Sequence, residues 1–156
     1  MKKKIITYIF CILITEAIGF AAGMLTRDSI SIYAETLAKP PLAPPGLVFP
    51  IAWSILYALM GIGMARVWLK QELDYRMKGI CAYIIQLALN FAWCFIFFSF
   101  GAYLVALIEL VVLLIAVVVM TVLFKKSDKP AALIQIPYIC WLCFATYLNA
   151  GVLVLN

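Results

Sequence analysis

The stretch KPPLAPPGLVFPIAWSILYALMG, Lys39 to Gly61, changes character in its middle. Five prolines fall at 40, 41, 44, 45 and 50, and no charge follows Lys39 until Arg66. Each proline fixes φ and removes an N–H donor, so the first half reads as a stiff, extended strap. The second half is apolar and long enough to be a membrane-crossing helix, with Trp53 and Tyr57 one turn apart. A strap that loses little entropy on ordering, leading into aromatic side chains, predicts a lid over the outer end of a cavity.

The rest of the chain extends this reading. Of 156 residues, 67% are hydrophobic and 12% charged, whereas a soluble domain is about half apolar and a quarter charged. Five segments reach the roughly 20 apolar residues that a bilayer core requires: about 5–26, 47–68, 79–98, 103–124 and 131–153. The fold class predicted is an all-α integral membrane bundle of five transmembrane helices, one domain over 1–156, with a lid loop at 27–46. The start, MKKKIITYIFCILITEAIGFAAG, has the charged and apolar regions of a signal peptide. Its apolar run is too long for one and carries Glu16, so it reads as a retained first helix.

The charges give an orientation. Lys2, Lys3, Lys4, Arg66, Lys70, Arg76, Lys78, Lys125, Lys126 and Lys129 fall on one side, against Arg27 and Lys39 on the other. Ten against two predicts a cytoplasmic N-terminus and an outside C-terminus. No basic patch interleaved with aromatics suggests a nucleic-acid partner. Without histidine the commonest general base and metal ligand are gone, and no metal or cofactor is expected. The five cysteines all lie in apolar runs, and CWLC at 140–143 sits mid-segment rather than at an accessible helix N-terminus. They read as packing thiols rather than a redox motif or disulfide framework.

Helical periodicity gathers the aromatic and polar residues of three spans onto single faces. These are Pro50, Trp53, Tyr57, Met60 and Met64; Tyr83, Gln86, Asn90, Trp93 and Phe97; and Tyr138, Trp141, Ala145, Leu148 and Asn149. Aromatic stripes are common packing. Amides at membrane depth, however, must face the bundle interior and find partners, so the three faces together predict one aromatic, weakly polar cavity. The fourth span is almost wholly aliphatic and reads as a largely lipid-facing scaffold. Glu16 and Glu109 are intramembrane carboxylates, read as neutral or hydrogen-bonded interhelical contacts rather than a catalytic pair. GFAAG at 19–23 permits close helix approach, within the chain or in a dimer. In the first loop, Ile30, Tyr33, Ala34, Leu37 and Ala38 have helical spacing, with Asp28 or Ser29 as N-cap.

Three stretches, the opening one with QLALNFAWCFIFF and PYICWLCFATYLNAGVLVLN, resemble in order and spacing a bacterial member of the translocator protein family, also called tryptophan-rich sensory proteins or peripheral-type benzodiazepine receptors. The resemblance spans the whole chain. It implies a five-helix bundle, commonly dimeric, in the bacterial cell membrane. It also implies a receptor pocket for porphyrins such as protoporphyrin IX and for isoquinoline carboxamide and benzodiazepine ligands. The family's pocket residues carry over onto Trp53, Asn90, Trp141 and Ala145. The wider candidate set adds Tyr57, Gln86, Trp93, Tyr138 and Leu148 from the three faces, and Tyr33 and Pro44 from the lid. Some bacterial members are reported to break down protoporphyrin IX in light, which would make Trp53 and Trp141 redox-active. A small tetrapyrrole transporter is a further alternative. The family's sterol motif ends on a basic residue after an aromatic, but none follows Tyr147; this counts against cholesterol as a partner.

Overall fold

The computed structural model describes residues 2–70 and 73–156. All regular structure among these residues is helical: α1 (Lys2–Leu25), α2 (Arg27–Thr36), α3 (Val48–Trp68), α4 (Leu73–Cys94), α5 (Tyr103–Ser127), α6 (Lys129–Leu133) and α7 (Ile136–Leu155). A single π-helical turn, Phe95–Ser99, extends α4. Five spans are long and apolar enough to cross a membrane: α1, α3, α4 with its π turn, α5, and α6 with α7. The chain is an all-α, five-helix membrane bundle.

Packing is uneven around the bundle. The most extensive interfaces are α4 on α5, α1 on α3, and α5 on α7, while α3 and α7 are not closely packed on one another. The α1–α3 interface depends on Gly61. A Cβ there would lie 2.6 Å from the Ile12 Cα and 2.9 Å from the Cys11 carbonyl oxygen. In the GFAAG stretch, Gly19 faces the Tyr57 ring within the chain, whereas Gly23 faces open space. The fourth span, α5, is not only a lipid-facing wall. Ala106, Leu110, Leu113, Val117, Met120 and Phe124 form a buried stripe at three- and four-residue spacing, and the exposed aliphatics occupy the rest of its circumference.

Three boundaries differ from the sequence expectation. The charged loop expected over 69–78 lies partly outside the described residues, and from Leu73 the chain is already helical. Helix formation needs backbone bonds rather than apolar side chains, so α4 runs past the hydrophobic segment. The last span is broken at Ile134–Gln135, with Pro130 and Pro137 each in the first turn of a new helix. The N-cap position of α2 is Thr26, not Asp28 or Ser29, and the Thr26 hydroxyl donates to the Ala22 carbonyl at 2.8 Å instead of capping α2.

Ten of the twelve basic residues fall at the end of the bundle opposite Arg27 and Lys39. Asp128, buried between α5 and α6, accepts from Ala131 N at 3.2 Å as the α6 N-cap. It also pairs with Arg66 Nε at 2.5 Å and Lys70 Nζ at 2.8 Å. Burial alone would raise its carboxyl, but the two cations outweigh burial and hold it below the ordinary aspartate range. A depressed folded-state value contributes stability above the unfolded value, about pH 4, and loses it as the pH falls further. Asp128→Ala removes the cap and both pairs. It should cost about 1–2 kcal/mol, measured by thermal unfolding in detergent at neutral pH. The deficit relative to the parent should shrink as the pH is lowered toward 3.

Candidate functional site

The three predicted faces meet in the core. Tyr57 of α3 donates to Asn90 Oδ1 of α4 at 2.5 Å. The Asn90 amide nitrogen donates to the Tyr138 hydroxyl of α7 at 3.0 Å. Tyr138 in turn donates to Gln86 Oε1 at 2.9 Å. All four side chains are buried. Two tyrosines and two amides from three helices thus satisfy one another in a dry interior, as polar groups at membrane depth must. The Asn90 amide is engaged at both its oxygen and its nitrogen.

Trp53 lies against this chain of hydrogen bonds. Its ring is 5.5 Å from Tyr57 and 6.2 Å, edge to face, from Tyr138. On its other side it meets Trp141 edge to face at 6.3 Å. Trp141 lines an apolar cleft of about 440 Å³ between α3 and α7, together with Ala52, Ile55, Leu56, Pro137, Cys140 and Phe144. Ile55 and Cys140 are exposed, so the cleft opens laterally on the apolar surface of the bundle. The space expected as a cavity is therefore divided. The cleft lies outside, the polar chain inside, and the Trp53 ring stands between them. Ala145 and Leu148 are buried further along α7.

Aromatic contacts continue from the cleft toward the strap. Phe49 meets Trp141 at 6.0 Å, Trp141 meets Phe144 at 5.7 Å, and Phe144 stacks on Tyr147 at 6.2 Å. Tyr147 donates to the Pro41 carbonyl at 2.7 Å. The strap is also held by a reciprocal pair: Ala38 N donates to Asn156 Oδ1 at 3.0 Å, and Asn156 Nδ2 donates to Ala38 O at 3.1 Å. Pro40 is buried against Gly151, where a Cβ would sit 2.4 Å from the Pro40 Cβ. Leu42 takes φ +68° at the exposed tip of the turn. Pro44 is half-buried. The strap is thus fastened to the far end of α7, opposite the basic end of the bundle.

Two predicted site residues lie elsewhere. Trp93 stacks on Phe97 at 5.0 Å and donates to Asn149 Oδ1 at 3.3 Å. Tyr33 of α2 packs edge-on against Phe97 and Phe98 at 5.5 and 5.4 Å. With Tyr103 they form a second aromatic cluster at the end of α4. Glu109 places both carboxyl oxygens in the interior, with no hydrogen-bond partner among the described residues. Glu16 is half-buried on α1, which does not pack closely on α5. The sequence reading missed Phe49 and Phe144. Their one-turn spacing from Trp53 and Trp141 was a usable signal, although each sits just off the face that was chosen.

Known proteins are similar in sequence over most of the chain. The TspO/MBR family model matches residues 11–155. The tryptophan-rich protein TspO of Chlorobaculum tepidum is 39% identical over 160 residues, covering 100% of this chain and 99% of that one. The tryptophan-rich sensory protein of Cereibacter sphaeroides is 34% identical, covering 78% of this chain and 75% of its own. The translocator protein of Bos taurus is 31% identical, covering 84% and 79%. The match takes in the strap, the tryptophan pair and all five spans, and this integral membrane protein belongs to the TspO/MBR family.

Proposed function

We propose that the protein is a membrane receptor for a flat, hydrophobic ligand, a tetrapyrrole such as protoporphyrin IX, seated in the α3–α7 cleft. The observation that carries this reading is the position of Trp141. Its indole lines an apolar cleft open to the membrane and is backed by Trp53. Such a cleft lies within the size range of small-molecule sites and offers an aromatic wall for stacking. A ligand that turns the Trp53 ring aside reaches the Tyr57–Asn90–Tyr138 hydrogen bonds, where polar groups gain strength from the dry surroundings. Isoquinoline carboxamide and benzodiazepine ligands carry fused aromatic rings that suit the same wall. The names of the relatives, translocator protein and tryptophan-rich sensory protein, support this reading. The strap serves as the lid, since Tyr147 links it to the aromatic contacts that begin at Trp141.

The ten-to-two distribution of basic residues supports an N-terminus in the cytoplasm and a strap outside a bacterial cell membrane. A homodimer fits the exposed aliphatic sides of the helices. The test is a titration of the protein in lipid nanodiscs with protoporphyrin IX, followed by porphyrin fluorescence. Saturation at one porphyrin per chain is expected, and binding no greater than that of empty nanodiscs would refute the proposal. A second reading, light- and oxygen-dependent porphyrin breakdown, is favoured by the contact of two oxidisable indoles, Trp53 and Trp141. It requires that illumination with oxygen yields one defined product, lost without oxygen and in the Trp→Phe variants.

A further inference from the structure

At the basic end of the bundle, Lys4 and Tyr8 of α1 face Arg66 of α3 and Lys70, just past the end of α3, across a polar pocket of about 180 Å³, with Asp128 at its edge. Asp128 is buried, while Arg66 and Lys70 keep 32% and 43% of their side chains exposed. The carboxylate therefore orders two cations without covering them. Three positive lining residues against one negative leave the pocket with a net charge of +2. Trp68, 53% exposed on the last turn of α3, lies beside the pocket in sequence. An exposed tryptophan at a span end marks the membrane interface, which puts the pocket at the depth of lipid headgroups.

We propose that this pocket binds the headgroup phosphate of an anionic phospholipid, with Lys4, Arg66 and Lys70 as its ligands and the acyl chains lying along α1 and α3. The geometry suits that occupant. Lys4 and Tyr8 are one helical turn apart on α1, Arg66 sits in the last turn of α3 and Lys70 follows its end, so the pocket draws charge from two adjacent helices. The apolar exposed residues of α1 next to it, Ile5, Ile6 and Ile9, offer a surface for the chains. Basic pockets between membrane helices take acidic headgroups by this combination of charge and depth. The lipid would tie α1, which buries little of its own surface within the chain, to the rest of the bundle.

The test uses the full chain in nanodiscs of mixed phosphatidylglycerol and phosphatidylcholine, with retained lipids counted by native mass spectrometry. The parent should keep one phosphatidylglycerol per chain. Lys4→Gln with Lys70→Gln should lower its retention roughly ten-fold or more, and Lys4→Arg with Lys70→Arg should restore it. Lys125→Gln with Lys126→Gln makes the same charge change at the same end of the bundle, outside the pocket, and should leave retention unchanged. The proposal fails if that control loses as much, because the attraction would then be a diffuse surface charge. It fails if phosphatidylcholine is kept equally well. It also fails if millimolar inorganic phosphate displaces the lipid, which would make the pocket a site for a small free anion.

Discussion

Gly61→Ala is expected to cost about 3 kcal/mol or more, at the upper end of overpacking effects. The added Cβ meets the backbone of α1, the Ile12 Cα at 2.6 Å and the Cys11 carbonyl oxygen at 2.9 Å. A clash with a flexible side-chain tip is relieved by a rotamer change, but a clash with helix backbone requires the whole of α1 to move. The α1–α3 contact is among the most extensive in the bundle, so displacing α1 loosens it along its length. Gly23→Ala is the control, since a Cβ there meets nothing within 4 Å. It should be neutral or stabilise by up to about 1 kcal/mol, the ordinary helix-propensity gain. Thermal unfolding in one detergent would separate the two. Equal effects would mean that α1 does not approach α3 as closely as the structure has it.

Asn90→Ala should cost about 2 kcal/mol, because it orphans the Tyr57 hydroxyl in a dry interior. Tyr138 keeps its bond to Gln86, so the loss falls mainly on Tyr57. Adding Tyr57→Phe to Asn90→Ala removes the orphaned donor and should recover about 1 kcal/mol, a coupling that a double-mutant cycle detects. Simple additivity of the two substitutions would contradict the hydrogen bond between Tyr57 and Asn90.

Much of this core was legible in the sequence, for a definite reason. A helix of 3.6 residues per turn fixes which side chains share a face, and the membrane requires buried amides to find partners. Together these placed Tyr57, Gln86, Asn90 and Tyr138 toward a common interior before any coordinates. Trp93 shows where that reasoning stops. Three residues after Asn90 it lies about 60° short of a full turn around α4 and about 4.5 Å along it. This is enough to turn it toward Phe97 and Asn149 instead of Trp53. Periodicity gives a face but not the neighbour on the other side of it. The π turn at Phe95–Ser99 was illegible for a related reason: it is a change in hydrogen-bond register with no hydropathy signal. The break in the last span did have a signal, the pair Pro130 and Pro137, which apolar-run counting passes over. The Trp53 ring standing between cleft and polar chain could not be read at all, because it depends on a rotamer and on how far α3 and α7 stand apart.

In the proposed ligand site Trp141 is the aromatic wall, Trp53 backs it, and Trp93 takes no part. Titration of protoporphyrin IX fluorescence against the parent and three alanine variants tests this arrangement directly. Trp141→Ala removes the stacking surface and its apolar contact, and Trp53→Ala removes the ring that backs it. Binding should weaken by roughly 2 kcal/mol, about thirty-fold in affinity. Trp93→Ala, in the second aromatic cluster, should bind as tightly as the parent. Parent-like affinity in folded Trp53→Ala and Trp141→Ala, or an equal loss in Trp93→Ala, would contradict it.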